Sequence, residues 1–136
     1  LPAELIDGRA IAKKLRAQVA ERAKKLASRG ITPGLAVVLV GDDPASALYT
    51  SAKATAAEEA GMYSLNLRLP AETTQADLLK RVDDLNADPR IHGILVQMPL
   101  PKQIDPDTVI RRIDPAKDVD GFHPVNVGKM LVGERD

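Results

Sequence analysis

The chain has 136 residues, 44% apolar and 28% charged, which suits a single globular domain with its own core. Nineteen basic residues balance nineteen acidic ones, so no excess charge favours nucleic acid or an anionic membrane. The absence of cysteine excludes disulfides and thiolate chemistry, and His92 and His123 lie too far apart for a zinc pattern, so no metal is expected.

Residues 7–29 read as one long helix. Asp7 can cap it, Ile11, Leu15, Val19 and Leu26 recur at helical spacing, and Gly30 suits the stop. Leu35 to Val40 is a continuous apolar run, as expected of a strand buried on both faces of a parallel sheet. Gly41-Asp42-Asp43-Pro44 breaks it, and a second helix follows from Ala45 to Ala60, with Asp42, Asp43 or Ser46 available to its free amides. Tyr63 to Leu69 alternates apolar and polar residues, which predicts a half-buried strand near a sheet edge.

Thr73 or Thr74 caps a third helix through Leu78, Leu79, Val82 and Leu85, ending before Pro89. Ile91 to Met98 holds a third strand, centred on Gly93 to Gln97, and the proline-rich remainder carries short helices near Asp107–Ile113 and Asn126–Leu131. Strands alternating with helices predict an α/β fold: a three-layer αβα domain around a parallel sheet. Right-handed crossovers bring the strand C-termini to one edge, where open α/β sheets bind ligands. The apolar runs are too short to span a membrane, and a start carrying Glu4 and Asp7 does not resemble a signal peptide, so a cytoplasmic protein is expected.

Tyr49 and Lys53, four residues apart on the second helix, share a face. Most helix lysines are simply solvated. Lys53, however, has alanines around it and no acidic residue one turn away, and a lysine against apolar walls is suited to proton transfer. Tyr49 is either a core tyrosine or a ring stacked on a planar ligand. Gln97 interrupts an apolar run at the end of the third strand, either clamping the next loop or touching a ligand. In Lys117-Asp118-Val119-Asp120-Gly121, Asp118 reads as a turn residue, while the Asp120 carboxylate could take two hydrogen bonds from an amidine-like ring edge. No dinucleotide fingerprint or P-loop is present. A phosphate-receiver domain would need an aspartate where Gln97-Met98-Pro99 stands.

Four stretches in order carry a family likeness: Gly41-Asp42-Asp43-Pro44-Ala45-Ser46; Tyr49-x-x-x-Lys53; Gly93-Ile94-Leu95-Val96-Gln97-Met98-Pro99-Leu100-Pro101; and Pro115 to Pro124 around Asp118-Val119-Asp120-Gly121. Leu5-Ile6-Asp7-Gly8 and Asn126-Val127-Gly128 fit as well. Together they resemble the methylenetetrahydrofolate dehydrogenase/methenyltetrahydrofolate cyclohydrolase family. Met98 stands where many members have leucine, a volume-conserving change.

The resemblance implies that residues 1–136 are the N-terminal, folate-binding catalytic domain, with the family's second, Rossmann-type NADP domain absent from this chain. It implies oxidation of 5,10-methylenetetrahydrofolate with NADP and hydrolysis of the methenyl product to 10-formyltetrahydrofolate. It places catalysis on Lys53, Tyr49 and Gln97. The folate would lie on Ser46, Tyr49, Thr50, Ser51, Ala52, Lys53, Val96, Gln97, Met98 and Asp120, with no cofactor contacts here. A homodimer without nucleic-acid or membrane partners is implied. A non-catalytic folate-binding or dimerisation module is the rival expectation.

Overall fold

The structure, a computed structural model, describes residues 6–134, so Glu4 and Leu5 lie outside the described residues. Helix α1 spans Gly8–Ala27. It starts where expected because the Asp7 carboxylate accepts from the amides of Arg9 and Ala10. Strand β1 (Gly34–Val40) leads into α2 (Pro44–Glu59), and of the three residues able to cap α2 it is Asp43 that does so, accepting from the Ser46 amide at 2.7 Å. Strand β2 (Tyr63–Leu69), α3 (Gln75–Ala87, capped by Thr74), β3 (Gly93–Val96), α4 (Pro106–Arg112) and α5 (Pro124–Val132) complete the order.

The strands form one parallel sheet in the order β2-β1-β3, with Leu35 opposite both Ser64 and Gly93. The alternating strand lies at an edge, and the wholly apolar strand lies at the centre, as its pattern predicts. β3 is shorter than the apolar run suggests. Regular pairing stops at Val96, although the Gln97 amide still donates to the Val38 carbonyl at 2.8 Å. The last two helices begin one and two residues earlier than expected, because Pro106 and Pro124 occupy first-turn positions where no amide hydrogen is needed.

Helices cover both faces. On one, Ala36, Val38, Val40, Ile94 and Val96 pack with Leu78, Val82 and Leu85 of α3 and Val109 of α4. On the other, α2 packs against β1 and β2 through a lining of small residues, with Ala54 and Ala57 buried. A groove of about 490 Å³ separates α1 from α2 on that face, floored by Leu35 and Leu95. Helix α1 buries only Ala23, so its apolar stripe of Ile11, Leu15 and Val19 is exposed. Among the described residues no helix is long and apolar enough to cross a membrane.

Candidate functional site

The second helix leaves the C-terminal end of β1 and runs back across the sheet, which carries its third turn past the end of β3. There the Lys53 ammonium donates to the Gln97 Oε1 at 3.0 Å, joining residues 44 positions apart. Lys53 is half-buried, and its stem lines the apolar groove between α1 and α2 together with Ala56, Leu95 and Val119. Among the described residues no carboxylate lies within ion-pair distance of it.

Gln97 clamps the next loop, as one of its sequence readings expects, and also holds Lys53. Its amide oxygen takes the lysine, while its Nε2 donates to the Met98 carbonyl at 2.7 Å and so fastens the following loop. The Met98–Pro99 peptide bond in that loop is cis. An amide oxygen aims the lysine nitrogen without placing a counter-charge beside it.

Tyr49 is not a core tyrosine. It stands on the same face one turn before Lys53 and is 62% exposed, which leaves its ring free to lie against a ligand. The neighbouring positions divide by helical phase. Ser51 and Ala52 are exposed, whereas Thr50 is fully buried and its hydroxyl donates to the Ala47 carbonyl. Ser46 is buried in the first turn of α2 beside its capping aspartate. Val96 belongs to the core packed by α3, and Met98 is half-buried at the sheet edge.

The segment after α4 returns to this edge. Asp118 pairs with Ile94 in an isolated parallel bridge, so residues around it extend the sheet beyond β3. The two aspartates of this segment have opposite environments. Burial alone would raise the Asp118 carboxyl, but donors from the His123 amide (2.8 Å), the Asn126 side chain (2.9 Å) and the Gly121 amide (3.1 Å) outweigh it and hold the carboxyl below its ordinary range. Asp118 is therefore the knot of the turn, as its sequence context suggests. Asp120 accepts no hydrogen bond among the described residues. Partial burial raises its carboxyl, the Lys53 charge partly offsets that, and the Asp118 charge adds to it.

A larger hollow, about 790 Å³, lies between this turn and α5 and includes Asp120. It holds neither Lys53 nor Gln97, whose contact lies outside this hollow.

Two features of the site escape a reading of motifs. Lys117 donates to the carbonyls of Leu85, Asn86 and Asp88, and Gly93 lies directly beneath Val119. Neither contact has a local signature, because each joins segments some 25 to 32 residues apart.

The structure also decides whether a pyrophosphate fits the first βα turn. The Asp43 carboxylate already occupies the amide of Ser46 at the start of α2, where a dinucleotide phosphate would need free donors and no negative charge. These residues do not suit a nicotinamide dinucleotide.

Comparison with known proteins agrees with the motifs. Residues 6–120 match the family model for the tetrahydrofolate dehydrogenase/cyclohydrolase catalytic domain. The chain is 59% identical over 130 residues to bifunctional protein FolD 2 of Geobacter metallireducens, covering 96% of this chain and 46% of that protein. It is 56% identical over 134 residues to bifunctional protein FolD of Halalkalibacterium halodurans, covering 98% and 48%.

Among solved structures, the FolD methylenetetrahydrofolate dehydrogenase/cyclohydrolase of Campylobacter jejuni superposes with a TM-score of 0.91 at 47% identity, over 93% of this chain and 45% of that one. The Trypanosoma brucei enzyme, complexed with NADP cofactor and inhibitor, gives 0.93 at 38% identity over 100% and 47%. The chain thus spans about half the length of the curated relatives it matches. A match over residues 6–120 means that the chain belongs to the tetrahydrofolate dehydrogenase/cyclohydrolase family and corresponds to its catalytic domain.

Proposed function

We propose that this chain supplies the folate site and the proton-handling lysine of a bifunctional enzyme. That enzyme oxidises 5,10-methylenetetrahydrofolate to the methenyl form with NADP, and hydrolyses the methenyl form to 10-formyltetrahydrofolate. The observation that carries the reading is the 3.0 Å contact between the Lys53 Nζ and the Gln97 Oε1. The reading is supported by the half-buried amine, by the exposed ring of Tyr49 one turn away, and by the Asp120 carboxylate, which has no hydrogen-bond partner among the described residues.

In the hydrolytic half, water adds to the methenyl carbon and loses a proton. The carbon–nitrogen bond to the pterin ring then breaks as the remaining hydroxyl proton leaves to solvent and the formyl carbonyl forms, and that nitrogen takes a proton. Lys53, aimed by Gln97, relays the proton between the two. Tyr49 offers its ring face to the folate, and Asp120 accepts hydrogen bonds from the amino-substituted edge of the pterin. Ser46, Thr50, Ser51, Ala52, Val96 and Met98 shape the walls and backbone of the same pocket. Ser46, Thr50 and Val96 do so only from behind, since they are buried.

In the oxidative half, NADP would supply the hydride acceptor. The neighbour from Trypanosoma brucei is described with NADP. Because the α2 N-terminus does not suit a dinucleotide, we assign cofactor binding to sequence outside this chain and residues 1–136 to the folate-binding domain. A homodimer acting in the cytoplasm completes the reading, on family likeness alone.

The test is hydrolysis of 5,10-methenyltetrahydrofolate by the native full-length protein, followed by the loss of methenyl absorbance. Lys53→Met should abolish turnover while tetrahydrofolate still binds. Near-parental hydrolysis would sink the assignment. Binding without turnover by the unmodified protein would favour a non-catalytic module instead.

A further inference from the structure

Asp120 projects from residues 117–121, a segment with no helix or regular strand of its own. A carboxylate on such a segment keeps its place only if the backbone before it is tied down. Here two anchors precede it. All three donors of the Lys117 ammonium are spent on the C-terminal end of α3: the carbonyls of Leu85 at 3.2 Å, Asn86 at 2.7 Å and Asp88 at 3.1 Å. The Leu85 and Asp88 carbonyls each accept a backbone amide as well, from Asp88 and Ile91, but a helix C-terminus is partially negative, so a lysine placed there binds firmly. The backbone carbonyl of Lys117 meanwhile accepts from the Ile94 amide at 2.7 Å.

The second anchor is a seat. A Cβ on Gly93 would stand 2.5 Å from the Val119 Cγ1 and 3.4 Å from the Leu35 Cδ1. Gly93 is not among the glycines with positive φ, so the backbone there is open to any residue. Glycine is required for space: Val119 occupies the place of the missing side chain. Asp118 closes the turn on the far side, as described above.

We infer that Lys117 and the Gly93–Val119 pair are positioning residues for Asp120. They set how far its carboxylate stands from the Lys53–Gln97 pair, and through that distance the affinity for the amino-substituted heterocycle of the substrate. The inference rests on the role proposed above for Asp120.

The experiment uses the native full-length protein, with tetrahydrofolate as the calorimetric probe and the amide ¹H–¹⁵N signals of Gly121 and His123 as a ligand-free report on the turn. Lys117→Met and Gly93→Ala should each weaken tetrahydrofolate by about tenfold or more, equivalent to about 1.4 kcal/mol. Both amide signals should move, and the methenyl hydrolysis rate at saturating substrate should stay near the parent value. Adding Val119→Ala to Gly93→Ala empties the seat and should restore most of the affinity and the parental signals.

Parental affinity in both single variants, alongside a loss in Asp120→Ala, overturns the inference and leaves the Asp120 role standing. A double variant no better than Gly93→Ala also overturns it. Should Asp120→Ala itself bind like the parent, the role of Asp120 falls. The amide signals then decide the mount alone: unmoved signals overturn it and moved signals sustain it.

Discussion

The two ends of the parallel sheet carry similar residue types and treat them in opposite ways. At the N-terminal ends of the strands, polar groups are paired off. The Gly34 amide donates to the His92 Nδ1 at 3.1 Å, and the Gly34 carbonyl accepts from the His92 amide at 2.8 Å. Arg90 makes a fork with Asp88, the shortest contact being 2.7 Å, and lies 5.7 Å from the centre of the Tyr63 ring. At the C-terminal ends, Lys53 has one neutral partner and Asp120 has none among the described residues. Paired groups hold a fold together, whereas groups left half-satisfied are available to a ligand and cost the free protein something. Changes at the two ends should therefore separate, one set acting on stability and the other on folate chemistry.

The largest expected effect is on the site side. Lys53→Met should lower methenyl hydrolysis by about 10²- to 10⁴-fold, the usual contribution of a positioned proton-transfer group, with little change in the thermal midpoint. A large loss of stability with activity per folded molecule retained would reverse the comparison.

Next comes Gly34→Ala at the opposite end. A Cβ there would lie 1.9 Å from the Arg90 carbonyl oxygen, so β1 or the 88–92 turn must move. We expect destabilisation by about 3 kcal/mol in denaturant unfolding, with parental tetrahydrofolate affinity once folded. An alanine variant of parental stability would show that the close approach is not limiting.

Asp120→Asn should do the reverse in miniature. Its carboxyl is raised by burial, so its share of stability is present below the ordinary aspartate range and is lost as pH rises through the raised value. At neutral pH the ionised group is thus a small cost. Asparagine should raise the thermal midpoint slightly while weakening tetrahydrofolate about tenfold. In the parent, affinity should fall on acidification at a higher pH than an ordinary carboxylate would give. A lower midpoint in Asp120→Asn would contradict the idea that this end is held out of balance.

The smallest effect is at Asp88. Hydrogen bonds from the Arg90 side chain and amide, outweighing burial, lower its carboxyl to about 2. Its stabilising share is present above the ordinary aspartate value and is lost as pH falls toward the lowered one. Arg90→Ala should return the Asp88 titration, followed by carboxyl ¹³C shifts, toward 3.8, with little change in stability because the arginine is exposed and its charge is screened by solvent. A titration that stays near 2 would mean that the arginine is not its cause.

The fold was largely legible because its elements declare themselves locally. The run Leu35 to Val40 and the alternation of Tyr63 to Leu69 distinguish a central from an edge strand, and each helix start has its capping residue in the sequence. The candidate site was legible in part. The Tyr49–Lys53 spacing and the position of Gln97 at a strand end suggested a shared edge, and the contact at 3.0 Å bears that out. Neither spacing nor motif could separate Ser46 and Thr50, which face inward, from Ser51 and Tyr49, which face out, because that depends on which side of α2 meets β1.

By itself, then, the sequence determined the α/β order, the central strand and the candidate caps of the first three helices, since these follow from propensity and periodicity over a few residues. Only the tertiary structure decided which groups are spent and which are free. Asp118 is consumed by a turn and Asp120 is not; Lys117 is consumed by the end of α3 and Lys53 is aimed by Gln97. Within Lys117-Asp118-Val119-Asp120 the first two charges are paired and, among the described residues, the Asp120 carboxylate is not. What separates them is which distant carbonyl or amide the folded chain brings within about 3 Å, the reach of a hydrogen bond.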